Sequence, residues 1–157
     1  MGPVVFARGV YQEPDNFLNE IFSGEVPRVK KIWIERDLKQ EIKNILGHDL
    51  GMLRLSYWQR DTRTAWVLDE IGKSLPITVG IVVNNNKVEV IRILVFRESR
   101  GWEVRYPFFL NQFIAAMLTE ENQLNNGIDG ISGATLSVRA VKKLAILALF
   151  LHKRLTS

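Results

Sequence analysis

The stretch PITVGIVVNNNKVEVIRILVF, residues 76–96, decides the fold class of this chain. Residues 76–83 and 87–96 are rich in valine and isoleucine, which favour β-strands. Asn84-Asn85-Asn86 separates these two runs, and asparagine tolerates the left-handed backbone angles that a tight hairpin turn requires. The stretch therefore predicts two antiparallel strands joined by a short turn.

The flanking sequence adds further strands and several helices. Shorter strand candidates lie at residues 32–34, 52–57 and 64–68. Amphipathic helices are predicted to start at Pro14 and at Asp37, and to stop at Gly24 and at Gly47. Helical spacing returns over residues 108–118, a polar loop covers 122–133, and a long helix covers 134–154. Because strands and helices do not alternate as βαβ units, the prediction is an α+β fold: an antiparallel sheet flanked by helices, with a long C-terminal helix.

Length and composition fit one globular domain. The chain has 157 residues, of which 46% are hydrophobic and 24% charged. We predict a single domain over residues 13–157, preceded by an N-terminal segment over residues 1–12. Val5 and Ala7 stand at the small-residue positions of a signal-peptide cleavage site, so this segment is interpreted as a trimmed signal peptide. That interpretation favours a periplasmic or other extracytoplasmic location over a cytoplasmic one.

Several kinds of site and function are excluded by residue counts. The absence of cysteine excludes disulfides, cysteine-bound zinc, iron–sulfur clusters and c-type haem attachment. The only histidines, His48 and His152, are far apart in sequence, and both are interpreted as structural or solvent-facing. The net charge of +4 comes from scattered residues without a basic run, which argues against nucleic-acid binding. The longest apolar run, residues 144–151, is too short to span a bilayer.

One segment carries a recognisable chemical pattern, the string Asp129-Gly130-Ile131-Ser132-Gly133-Ala134-Thr135-Leu136-Ser137. Its glycines allow a sharp turn and a close approach of the backbone to a ligand. Ser132 is predicted to cap the helix that follows, which places Thr135 in the first helical turn, where the unpaired N–H groups stabilise phosphate. The alternative is that these residues only cap and start a helix.

The first seven residues of this string resemble the flavinylation motif of the FMN-binding domain family. That family includes subunits of the sodium-pumping NADH:quinone oxidoreductase, subunits of Rnf-type complexes, and stand-alone exported domains. The resemblance implies that Thr135 is esterified to the phosphate of FMN by a magnesium-dependent flavin transferase that uses FAD as donor. It also implies cofactor-binding roles for the matching residues Asp129, Gly130, Ser132, Gly133 and Ala134. Asp129 either helps to hold the transferase's magnesium or fixes the loop.

The resemblance covers roughly residues 76–147 and includes a second patch. The family tends to place a Glu-Thr-x-Gly-like turn after its hairpin, and here Glu98-Ser99-Arg100-Gly101 follows the strand that ends at Phe96. The resemblance therefore implies that Glu98 and Ser99 belong to the cofactor site. Ser99 stands where the family has threonine, which weakens any role assigned to that hydroxyl.

Nearby side chains could contact the rest of the cofactor. Trp102 either supports the flavin ring or is an ordinary half-buried tryptophan. One of Arg97, Arg100 and Arg105 contacts the phosphate or the flavin N1 position, or all three belong to a solvated charged turn.

The chain is interpreted as an electron-transfer flavoprotein, a redox carrier rather than an enzyme with its own substrate. Its sequence offers no convergent acid–base set and no nicotinamide-binding glycine motif. The implied partners are the flavin transferase and redox proteins such as cytochromes or membrane quinone oxidoreductases. The alternative function is a non-covalent FMN-binding sensor or assembly module.

Overall fold

The computed structural model describes residues 9–157, so the signal-peptide interpretation of Val5 and Ala7 lies outside the described residues. In chain order, the helices and strands are α1 Pro14–Ile21, β1 Lys30–Trp33, α2 Arg36–Leu46, β2 Arg54–Arg60, β3 Arg63–Ile71, β4 Pro76–Asn84, β5 Lys87–Phe96, α3 Pro107–Leu110 and α4 Thr135–Thr156. Two short 3-10 helices, Trp102–Arg105 and Asn111–Phe113, flank α3.

The strands form one antiparallel sheet in the order β1-β2-β3-β4-β5, which confirms the α+β prediction. The hairpin between β4 and β5 closes at the pair Asn84 and Lys87. Asn85 and Asn86 form its two-residue turn, with φ values of +52° and +63°. Both angles are left-handed, as the asparagine run predicted.

The two faces of the sheet pack against different helices. The larger core lies between the sheet and α4, with α2 beside it, and contains Trp66, Ile77 and Phe109. A smaller core on the opposite face joins Phe17 of α1 to Leu94 of β5. Within residues 9–157, no helix has both the length and the apolar content needed to cross a membrane.

The predicted helix over residues 108–118 is wrong in extent. Phe109 and Phe113 are buried at helical spacing, but regular α-helix ends with α3. Residues 115–116 instead exchange backbone hydrogen bonds with Val88, at 2.8 and 3.1 Å. Because β5 is an edge strand, its free backbone groups recruit this segment and end the helix.

Candidate functional site

The loop that leads into α4 presents Thr135 at the first helical position. The Ala134 N–H donates to the Ile131 carbonyl at 2.9 Å, which closes a turn just before the helix. Gly133 has φ +82° in this turn, a left-handed angle that glycine adopts without steric conflict. The Thr135 side chain is exposed, whereas Ala134 is buried. The hydroxyl-bearing residue is therefore open to another molecule.

Ser132 does not cap α4, contrary to the prediction. The turn at residues 131–134 delays the start of the helix, so the exposed Ser132 lies two residues before the actual N-cap, Ala134. Ala134 provides no side-chain cap, and the Val138 N–H to Ala134 carbonyl bond, at 2.9 Å, spans the first helical turn. The N–H groups of residues 135–137 consequently have no partner within the helix. They form the positive end of the helix dipole, which favours phosphate.

Gln112, which sequence analysis missed, holds the motif loop by its backbone. Its Oε1 accepts the Asp129 N–H at 2.7 Å, and its Nε2 donates to the Asp129 carbonyl at 3.2 Å. Asn126 Nδ2 donates to the Gln112 carbonyl at 3.0 Å. The loop is thus fixed without the Asp129 carboxylate, which lies on an exposed residue next to the exposed Gly130. No motif surrounds Gln112, so the sequence carried no signal for this role.

Glu98 braces the turn between β3 and β4. Its Oε1 accepts the N–H groups of Ser74, at 2.5 Å, and Leu75, at 2.7 Å. These two hydrogen bonds lower the pKa of the Glu98 carboxyl below its ordinary value, because they stabilise the charged form. The adjacent Ser99 is exposed. Glu98 therefore has a structural partner of its own within the chain.

The turn at residues 98–101 lies against the first turn of α4. Gly101 has φ +89°, and a Cβ atom built on it would stand only 2.3 Å from Ser137 Oγ. Ser137 follows Thr135 by two residues and is buried. The two patches singled out in the sequence, the motif and the Glu98 turn, are thus brought together through Gly101 and Ser137.

Trp102 belongs to a surface aromatic cluster. It is 37% exposed and packs edge-on against Tyr106, with ring centroids 5.5 Å apart. The Arg105 guanidinium lies over the rings of Tyr11 at 4.6 Å, Tyr106 at 5.2 Å and Trp102 at 6.0 Å. Arg105 is therefore occupied by cation–π contacts.

Arg97 and Arg100 have different surroundings. Arg97 donates to the Pro76 carbonyl at 2.7 Å and to Thr78 Oγ1 at 3.1 Å. It therefore braces the start of β4. Arg100 is exposed and forms no ion pair with the described part of the chain.

A groove of about 650 Å³ runs between α2 and α4, with Thr135 among its lining residues. The wall contributed by α4 comprises Thr135, Val138, Arg139, Lys142, Lys143 and Ile146; α2 contributes Glu41, Asn44 and Ile45, and residues 121–123 complete the lining. This volume is in the ordinary range for small-molecule sites. Glu98, Ser99, Trp102 and the motif residues before Thr135 lie outside this lining.

A buried carboxylate ties the two helices of the groove together. Glu70, only 5% exposed, accepts hydrogen bonds from His48 Nε2 at 2.8 and 2.9 Å. Its second oxygen is 3.7 Å from the Lys143 ammonium on α4. His48 follows the end of α2 at Gly47 and is also 2.8 Å, through Nδ1, from the Asp49 carbonyl. The Asp49 carbonyl and the Glu70 carboxylate together raise the pKa of His48 above its usual 6.5.

This arrangement predicts a pH-dependent contribution of His48 to stability. Because the pKa is higher in the folded than in the unfolded chain, the contribution is fully present below pH 6.5 and is lost as pH rises through the folded value. The imidazole is half exposed, so its contribution to the free energy of unfolding should stay below about 1 kcal/mol. Urea unfolding of wild type and His48→Gln, at pH values below and above 6.5, measures this contribution. Parallel pH profiles for the two proteins would contradict the assignment.

Comparison with known protein families gives a match. Residues 72–149 match the family model described as FMN-binding domain. No curated protein and no solved structure gives a match. The matched segment contains β4, β5, the Glu98 turn, the motif loop and most of α4.

Proposed function

The chain belongs to the FMN-binding domain family, which its residues 72–149 match, and from that premise we propose an electron-transfer flavoprotein with FMN esterified to Thr135. The observation that carries the proposal is the position of Thr135, exposed at the start of α4 and lining a groove of cofactor size. Bound FMN supplies one- and two-electron redox chemistry. The protein then needs no small substrate of its own.

The proposed attachment is a phosphoryl transfer to the Thr135 hydroxyl. The Thr135 oxygen forms a bond to the FMN phosphorus of FAD, the pyrophosphate bond breaks, and AMP leaves. The hydroxyl proton passes to a base of the magnesium-dependent transferase. The exposed side chain and the small neighbours Gly133 and Ala134 support this step, because a second enzyme must reach the hydroxyl.

The surrounding residues are suited to hold a phosphate diester. The free N–H groups of residues 135–137 point a partial positive charge toward it. Gln112 restrains the loop that precedes the attachment point. The turn at Gly101 packs against Ser137 and fixes the start of α4 from the other side. These contacts support a pre-formed attachment site.

Electron transfer requires partner proteins, and the chain has no cysteine that could hold an iron–sulfur cluster or a c-type haem as a second redox group. We propose that a two-electron or one-electron donor protein reduces the flavin and that a cytochrome or a membrane quinone oxidoreductase receives the electrons. A covalent tether is most useful where FMN is not replenished, which supports an extracytoplasmic location. The +4 net charge favours partners with acidic surfaces.

An intact-protein mass spectrum tests the attachment. After co-expression with an active flavin transferase and denaturation, wild type should gain about 440 Da, one FMN less one water, on a side-chain hydroxyl. Thr135→Ala should show no gain. Thr156→Ala is the matched control, because it removes an exposed threonine hydroxyl at the opposite end of α4, outside the motif, and it should keep the full gain.

Two results would contradict the proposal. No mass gain in wild type, with the transferase active on another protein, would leave a non-covalent FMN-binding sensor or assembly module. A gain that persists in Thr135→Ala would move the attachment elsewhere. For the carrier role, the attached flavin should be reduced and reoxidised reversibly without consumption of a small organic substrate.

A further inference from the structure

We infer that the isoalloxazine ring of FMN attached at Thr135 lies in the groove between α2 and α4, with Arg139 and Lys142 beside it. The inference rests on the proposed attachment at Thr135. Because α2 lies outside residues 72–149, one wall of the cofactor site would come from a part of the chain that the family match does not reach.

The length of the groove suits a flavin attached at its end. The lining residues of α4 recur at helical spacing, so they form one continuous face. At a rise of about 1.5 Å per residue, Arg139 lies ~6 Å and Lys142 ~10 Å along the axis from Thr135. An extended ribityl phosphate spans a similar distance. The ring of a flavin tethered at Thr135 therefore reaches these two cations.

The chemistry of the lining also suits this ring. Ile45, Val138 and Ile146 provide apolar surface for its faces. Arg139 and Lys142 form no ion pair within residues 9–157. Unpaired cations favour the negative charge that the pyrimidine end acquires on reduction. The lining, which also includes the carboxylates of Glu41 and Glu121, thus offers both apolar contact and positive charge to a flavin ring.

The opposite side of the first α4 turn is already filled. At 100° per residue, Ser137 points away from the face that Thr135, Val138 and Lys142 share. Gly101 packs directly on Ser137, which leaves no room for a ring between them. Trp102, the aromatic residue singled out from the sequence, is engaged by Tyr106 and Arg105.

Flavin fluorescence tests the ring position. In protein that carries the full FMN mass, Asn44→Trp places an indole in the α2 wall and should quench most of the flavin emission. Lys39→Trp is the matched control: it lies on the same helix, exposed and about 140° away, and should leave the emission unchanged. Trp102→Leu should also leave it unchanged.

The opposite pattern overturns the inference. If Asn44→Trp has no effect and Trp102→Leu brightens the flavin, the ring lies at the Trp102 cluster. If none of the three variants changes the emission, the ring lies in solvent. Both results leave the attachment at Thr135 intact, because every variant is first shown to carry FMN by mass.

A second measurement does not require the protein to tolerate a new tryptophan side chain. Lys142→Gln should make the flavin midpoint potential more negative, and the difference from wild type should shrink as salt increases. Lys153→Gln, further along the same face of α4 and outside the groove, should leave the potential unchanged. Equal potentials for wild type and Lys142→Gln would contradict the placement of the ring beside Lys142.

Discussion

Replacing Gly101 by alanine should destabilise the protein by about 2–4 kcal/mol. The φ of +89° costs any residue with a Cβ, and the new Cβ would stand 2.3 Å from Ser137 Oγ and 3.2 Å from Ser137 Cβ. Rotation of the Ser137 hydroxyl relieves only the shorter contact, so the 3.2 Å contact and the unfavourable φ still strain the Glu98 turn against the start of α4. Urea unfolding measures the loss, and the yield of flavinylation should fall in parallel.

The neighbouring motif provides the control for this substitution. Gly130→Ala has open space at its Cβ position and should remain within about 0.5 kcal/mol of wild type. In a double-mutant cycle, Ser137→Ala should recover part of the Gly101→Ala loss, because it removes the closest atom. Additive effects would show that Ser137 is not the obstacle.

Trp66→Ala should destabilise the protein by about 3–5 kcal/mol. Trp66 is fully buried and stacks on Tyr57, with ring centroids 5.2 Å apart. Its Nε1 donates to Thr64 Oγ1 at 2.8 Å, and that oxygen is 2.8 Å from His152 Nδ1. Burial lowers the pKa of His152, so this histidine joins β3 to α4 as a neutral, structural group.

Trp33→Ala is the control for the same deletion at the surface. Trp33 is 56% exposed, so its loss should change stability by no more than about 0.5 kcal/mol. Denaturant unfolding of both variants measures the difference. A loss for Trp66→Ala as small as the one expected for Trp33→Ala would mean that the core does not depend on the Trp66 contacts.

Predictions from the sequence were reliable where neighbouring residues decide the structure. The asparagine turn between β4 and β5 and the end of α2 at Gly47 depend on local backbone angles, and both were predicted. The helix over residues 108–118 failed because its second half pairs with β5. The competition between helix formation and pairing with β5 arises only in the folded chain.

The candidate site, like the fold, was predicted only in part. The motif singled out Thr135, which the structure places exposed at the first position of α4, and its role in FMN attachment stays a prediction. The Ser132 cap was wrong, because the turn at residues 131–134 shifts the helix start. The groove was not predicted at all: it forms where α2 packs beside α4, elements that are far apart in the chain.

The part of the chain that the family model matches is shorter than the part that completes the sheet around β4. The family match begins at residue 72, directly after β3, and so leaves out the strand that pairs with β4 from Arg63 to Ile71. A fragment limited to residues 72–149 would expose β4, a strand buried along nearly all its length, as a bare edge. Such an edge is a template for aggregation. The segment that marks the family is therefore shorter than the part of the chain that pairs β4 on both sides.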